Sequence, residues 1–178
     1  WIFPLANGEA NVGVGMRADK MKTKNIHLKN SFQEMLQHST LKERFQEAVQ
    51  IGEIKQWSLP LGSKKRKLSG HHYLLTGDAA MLIDPFTGEG IGNAMLSGLL
   101  AANKAISAIE NNNFSAQYLA EYDQAVYTRL EDELNVSTRL QQLSNSPRLF
   151  NFVVNKAVSN PALSEMISSM FDDIDIRA

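Results

Sequence analysis

The chain has no cysteine among its 178 residues. That absence excludes disulfides, thiolate metal ligands and any cysteine-based redox relay. No apolar run reaches the about 18 residues needed to cross a bilayer, and no stretch has the order of a secretory leader, so a cytoplasmic setting is expected. Charge of one sign is also missing in the whole chain: 18 Lys and Arg against 19 Asp and Glu leave a net charge of −1, which argues against a nucleic-acid partner. The four histidines, His27, His38, His71 and His72, have no metal-ligand spacing, because neighbours on a strand point to opposite sides. No metal site is assigned. Serine never falls in a G-x-S-x-G elbow, so a hydrolytic triad has no anchor. Also absent is G-x-G-x-x-G, the turn that seats the pyrophosphate of a dinucleotide.

What remains is the composition of a folded domain, 43% hydrophobic and 21% charged. Charge is unevenly spread: residues 1–77 carry 12 Lys and Arg against 6 Asp and Glu, and residues 78–178 carry 6 against 13. The two halves therefore attract. Trp1 to Leu5 and Asn11 to Met16 read as two strands joined at Asn7-Gly8, a dipeptide that suits a tight hairpin turn. Ser31 with Glu34 forms a capping box for a helix through Gln37, Thr40 opens another that ends near Gly52, and residues 53–59 read as a strand closed by Pro60. Past residue 110 the chain is almost wholly helical. Asn111-Asn112-Asn113 breaks one helix, Ser115 caps the next, and Leu119, Tyr122, Val126, Leu130, Leu134 and Leu140 give it an apolar stripe. Ser146-Pro147 and Asn160-Pro161 announce two more helices, with Met166, Met170 and Phe171 on one face of the last and a solvated acidic end at Asp172, Asp173 and Asp175.

The most informative stretch is 76–98. His71 to Thr76 is short, aromatic and apolar enough for a buried strand, and it ends at Gly77-Asp78. After Asp84-Pro85, the glycines Gly88, Gly90 and Gly92 open a helix with Ile91, Met95, Leu99, Ala102, Ile106 and Ile109 at helical spacing. Unpaired N–H groups and the positive dipole end meet at such an entrance, and glycines let a bulky ligand lie against bare backbone. Asp78, at the strand's carboxyl end, is placed to accept hydrogen bonds from sugar-like hydroxyls. The competing reading is a helix whose glycines serve only its close packing on a sheet.

Gly77-Asp78-Ala79-Ala80, Asp84-Pro85 and Gly88-Glu89-Gly90-Ile91 together resemble the second flavin-binding motif of FAD-dependent oxidoreductases, a superfamily of aromatic hydroxylases, flavin halogenases and geranylgeranyl reductases. The resemblance implies that Asp78, beside Gly77, contacts the ribityl chain of FAD. It also implies that Gly88, Glu89, Gly90, Ile91, Gly92 and Asn93 present backbone amides to the pyrimidine edge, and that Pro85 lies beside the ring. The start narrows the choice. Trp1, Phe3 and Pro4 form W-x-F-P, and eight residues later Gly13 and Gly15 form G-x-G, a pattern similar to the substrate-cavity signature of geranylgeranyl reductases. There such residues line a tunnel for an isoprenoid chain; a hairpin with a packed Trp is the structural alternative.

The resemblance implies reduction of isolated C=C bonds in a prenyl chain, with NAD(P)H as the ultimate reductant and hydride passing from N5 of the reduced flavin. A hydroxylase or halogenase of the same superfamily and a non-catalytic interaction fragment are the alternatives. No catalytic side chain is nominated. Because the segment that binds the ADP half of FAD is not found and the chain opens on Trp1, a fragment of a larger protein is expected. Its fold class is expected to be α+β: an antiparallel hairpin sheet of a substrate domain, the last strand and helix of a flavin-binding Rossmann-like domain, then a helical C-terminal region. The corresponding segments are 1–70, 71–110 and 111–178. Expected partners are a hydrophobic isoprenoid or other small molecule and the missing FAD-binding segment. The basic run Lys64-Lys65-Arg66-Lys67 caps a solvated loop, with a phosphate of NADPH or an anionic lipid surface, and so peripheral membrane contact, as alternatives.

Overall fold

A computed structural model describes residues 1–162 and 164–165. The expected face of Met166, Met170 and Phe171 and the acidic end at Asp172, Asp173 and Asp175 lie outside the described residues. The described chain is α+β, with two small two-stranded antiparallel sheets and otherwise mostly helix. Two compact units divide it between Ser58 and Leu59. The expected segments 71–110 and 111–178 both begin within the second of them.

In the first unit, β1 (Ile2–Pro4) pairs with β2 (Ala10–Val12), Ile2 opposite Val12 and Pro4 opposite Ala10. Asn7 and Gly8 make the connection with φ of 64° and 77°, the left-handed values that this dipeptide tolerates. The ladder runs one step past the strands: the Trp1 ammonium donates to Gly13 O at 2.8 Å and Gly13 N–H to Trp1 O at 3.1 Å. Three helices follow, α1 (Ala18–Thr23), α2 (Leu28–Gln37) and α3 (Ser39–Phe45).

Three expectations need correction here. Helix α2 starts at Leu28, a turn before the expected capping box, so Ser31 is inside it and donates its N–H to His27 O at 3.0 Å. Its apolar face of Leu28, Phe32, Met35 and Leu36, all half-buried, begins at that earlier turn, and covering this face outweighs a local cap. Helix α3 stops at Phe45, and residues 53–59 form no strand, since no neighbouring strand offers them a ladder. None of residues 1–58 is buried, and Trp57 stands 88% exposed.

The second unit holds the core. β3 (Ser69–Gly70) and β4 (Tyr73–Leu74) form a tight hairpin, Ser69 opposite Leu74. His71 and His72 are therefore the turn and not part of a continuous strand; His72 takes φ 62° and stacks on Phe114 at 5.5 Å. Leu61 makes a parallel bridge with Ile83. Then come α4 (Ile91–Glu110), α5 (Ala116–Leu143) and α6 (Pro147–Val158). Ser115 caps α5 as expected, its Oγ accepting Tyr118 N–H at 3.3 Å. The apolar stripe of α5 is buried from Leu119 to Leu134 and continues as Ser137 and Gln141.

Helix α4 packs on α5 through Ser97, Ala101 and Ala108, with Leu96 and Leu100 at the flanks. Small residues there let the two backbones approach closely. The stripe Ile91, Met95, Leu99, Ile106 and Ile109 lies instead on the open side, Ile91 72% exposed. Periodicity alone cannot say which face a helix apolar on two sides turns inward. Among the described residues, no helix is long and apolar enough to cross a membrane.

Candidate functional site

The polypeptide leaves β4 and turns sharply at Gly77, whose φ of 52° suits a residue without a Cβ. A second reason is packing, because a Cβ on Gly77 would come 2.9 Å from Ala94 Cβ on α4. Residues Gly77–Ala80 form a 3-10 turn, closed by Met81 at φ 56°. The loop beyond it is organised by buried Asp84. Its Oδ1 accepts the N–H of Phe86 at 2.9 Å, the N–H of Thr87 at 2.7 Å and the Thr87 hydroxyl at 2.9 Å. Backbone bonds from Asp84 N–H to Glu89 O at 2.7 Å and from Gly88 N–H to Asp84 O at 3.0 Å close the loop on itself.

Gly90 then begins α4 with no side-chain cap, and the first intrahelical bond runs from Ala94 N–H to Gly90 O at 2.9 Å. The N–H groups of Ile91, Gly92 and Asn93 precede that bond and have no helical acceptor. The space beside Gly88 is open. Asp78 is exposed, and its Oδ1 lies 3.7 Å from where a Cβ on Gly90 would sit. A carboxylate acceptor and three backbone donors thus stand side by side, with bare backbone between them. That arrangement can hold a ligand carrying both hydroxyls and an electron-rich polar edge.

The structure brings together Gly77, Asp78, Gly88, Glu89, Gly90, Ile91, Gly92 and Asn93. Pro85 stands apart from the open rim: it is buried, and its carbonyl accepts the side-chain N–H of Gln141 from α5. The Asn93 side chain is also committed inward, donating to Leu82 O at 2.7 Å, so only its backbone N–H faces the entrance.

Known proteins narrow what such a site belongs to. No family model matches the chain. Among curated proteins, it is 35% identical to a digeranylgeranylglycerophospholipid reductase of Thermoplasma volcanium over 132 residues, 74% of this chain and 32% of that protein. A reductase of the same name from Methanococcus aeolicus is 38% identical over 81% of this chain and 36% of its own length. The Methanocaldococcus jannaschii reductase of that name is 33% identical over 99% of this chain and 41% of its length. A Thermoplasma acidophilum crystal structure described as geranylgeranyl bacteriochlorophyll reductase-like covers 97% of this chain and 45% of its own, with a TM-score of 0.63 and 27% identity. Over the matched span this chain belongs to the geranylgeranyl reductase-like family. It spans about a third of the length of the curated relatives it matches.

In this geranylgeranyl reductase-like chain the hairpin residues form their own cluster. The Trp1 indole covers Gly13 so closely that a Cβ there would fall inside the ring, and Trp1 Nε1 donates to Asn11 Oδ1 at 2.8 Å. The space over Gly13 is thus filled by Trp1, not left as a groove. Trp1 and Phe3 stack at 6.3 Å on one face, both exposed, with Pro4 following and Gly15 at the margin of the indole. The basic run sits on α5. Lys65 pairs with Glu131 at 2.7 Å and lies 4.7 Å over the Tyr127 ring, while the Tyr127 hydroxyl accepts Arg66 N–H and donates to Arg66 O. Lys64, Arg66 and Lys67 keep exposed side chains.

A cavity of about 430 Å³ lies elsewhere, a mostly apolar groove between His72, Tyr73, Phe114 and the Ala101 to Ile109 stretch of α4. At 1.5 Å per residue that stretch starts roughly 15 Å from the entrance of α4. Its lining is mostly apolar, with His72 and Tyr73 as the side chains on its wall that carry polar groups. Sequence reasoning did not single out Ser97 and Gln141, and it read Tyr122 only as part of the apolar stripe; all three are polar members of otherwise apolar helix faces. A polar residue falling in register with a buried stripe is the signal that marks them.

Proposed function

We propose that this chain supplies the ribityl and pyrimidine contacts of an FAD site in a geranylgeranyl reductase-like oxidoreductase, and that the reaction is reduction of C=C bonds in a prenyl lipid. One observation carries the reading: the uncapped N–H groups of Ile91, Gly92 and Asn93 open beside the unengaged carboxylate of Asp78, across the bare backbone of Gly90. These residues fit a flavin, since hydroxyls need an acceptor where Asp78 stands and a carbonyl-rich ring edge needs donors where the helix begins. When bound, the flavin supplies hydride to the substrate carbon and receives it from NAD(P)H.

The chain's own residues do the rest. Asp78 accepts from sugar hydroxyls and fixes the lateral position of the cofactor. The α4 entrance, three N–H groups at the positive end of a 20-residue helix, stabilises negative charge on the ring edge facing it. Gly90 keeps that approach open, because a side chain there would stand between Asp78 and the amides. Trp1, Phe3, Pro4 and Gly15 belong to the substrate-contacting part, with Gly13 seating the Trp1 indole, and the exposed face of Trp1 and Phe3 suits an isoprenoid chain. The names of the curated relatives support a geranylgeranyl lipid as substrate. Peripheral contact with a membrane surface accompanies such a substrate, and the exposed Lys64, Arg66 and Lys67 suit anionic headgroups.

The test is anaerobic product analysis. The full-length gene product, given reduced FAD and a geranylgeranyl lipid, should yield saturated chains without oxygen. An absolute oxygen requirement with a hydroxylated product would instead assign it to the hydroxylases.

A further inference from the structure

The geometry points to Ser97, with Tyr122 in support, as the positioning residue that sets Asp78 at its distance from the α4 entrance. Neither side chain can touch a ligand: Ser97 is 0% exposed and Tyr122 is 1% exposed. What they hold is the end of β4. Ser97 Oγ accepts the N–H of Gly77 at 3.0 Å, and Tyr122 from α5 donates its hydroxyl to Leu75 O at 2.6 Å. Residues 75–77 are therefore gripped by α4 and by α5, one residue before Asp78.

A serine inside a helix ordinarily spends its proton on the preceding turn, and Ser97 does so, donating to Asn93 O at 2.7 Å. Its lone pairs remain, and one takes an N–H from a different segment. That bond is directional in a place where packing is not. The buried face of α4 is Ala101 and Ala108 around Ser97, small side chains that interlock poorly and offer little resistance to sliding along the helix axis. Asn93 adds a second tie, from the first turn of α4 to Leu82 O at 2.7 Å. With both in place, the carboxylate and the free amides move as one body. Misplacement of such groups by about 1 Å is enough to cost a large factor in binding or rate.

This inference rests on the flavin reading above, and the experiment separates the two. FAD is titrated into the full-length gene product by quenching of flavin fluorescence, with melting temperature recorded for each apo-protein. Wild type should bind FAD, and Ser97→Ala should weaken binding about tenfold or more by orphaning the Gly77 N–H. Ser97→Thr, which keeps the hydroxyl, should bind within about threefold of wild type. Ala101→Gly is the control: it loosens the same helix face away from Gly77 and should lower the melting temperature with FAD affinity unchanged. Should Ser97→Ala fail to fold, Tyr122→Phe carries the test and should weaken FAD binding in the same direction. Equal losses of affinity in Ser97→Ala and Ala101→Gly at matched melting temperature overturn the positioning role alone. Failure of wild type to bind FAD overturns the flavin reading and this role with it.

Discussion

Gly77→Ala perturbs two things at once, and the structure lets each be weighed. The backbone at Gly77 has φ 52°, a left-handed conformation that costs a residue with a Cβ about 1–2 kcal/mol. The new methyl would also come 2.9 Å from Ala94 Cβ, closer than side-chain carbons tolerate, and moving helix backbone to relieve it costs roughly 1–2 kcal/mol more. The variant should lose about 2–4 kcal/mol in total. At roughly 2–4 °C per kcal/mol for a chain of this size, that is a fall of about 5–15 °C in Tm. Adding Ala94→Gly removes the overlap but not the backbone cost. The double variant should recover part of the loss, with a coupling of about 1–2 kcal/mol against the separate effects, measured by urea unfolding followed by circular dichroism. A Gly77→Ala protein within about 0.5 kcal/mol of the parent would refute the claim that this turn is pressed against α4.

Other outcomes follow from the same contacts. Tyr122 is held neutral by burial, with the Asp123 charge beside it adding to the effect, and its pKa rises from 10.0 to about 12. The unfolded chain therefore ionises first, so stability should fall as pH rises between 10.0 and about 12, and Tyr122→Phe should remove one proton's worth of that slope in unfolding measured across this range. Below pH 9 the same variant should cost about 1 kcal/mol for the lost bond to Leu75 O. Asp84→Ala strips the acceptor from three donors of the loop between Met81 and Gly90. It should destabilise by roughly 2–3 kcal/mol and raise amide exchange at Phe86 and Thr87; unchanged exchange there would show that the loop is held by something else.

Much of this arrangement is legible in the amino-acid sequence, and the gaps have physical causes. Asn7-Gly8 announces its turn because the backbone needs two left-handed residues in succession, and Ser115 announces α5 because a hydroxyl must meet the orphan N–H groups. The helix start after Gly90 is visible in the glycines. The hairpin at His71 and His72 is not, since no turn-forming glycine or asparagine marks it and the stack of His72 on Phe114 is a tertiary contact. The inward face of α4 stays hidden because Ile91, Met95, Leu99, Ile106 and Ile109 lie on its open side and its fully buried residues are small. Residues 53–59 alternate like a strand, yet a ladder needs a partner that local pattern cannot supply. At the site, Asp78 and the glycines are readable from their motif. Asn93 is readable for its backbone only, and the burial of Pro85 depends on Gln141, 56 positions further along.

The central claim is that the free amides at the start of α4 and the carboxylate of Asp78 together cradle a flavin. Its most direct measurement is an FAD titration of the full-length gene product beside its Asp78→Ala variant. Saturable binding that weakens by about 1.5–3 kcal/mol on loss of the carboxylate is the predicted result. Identical affinities, or no binding by either protein, would contradict it.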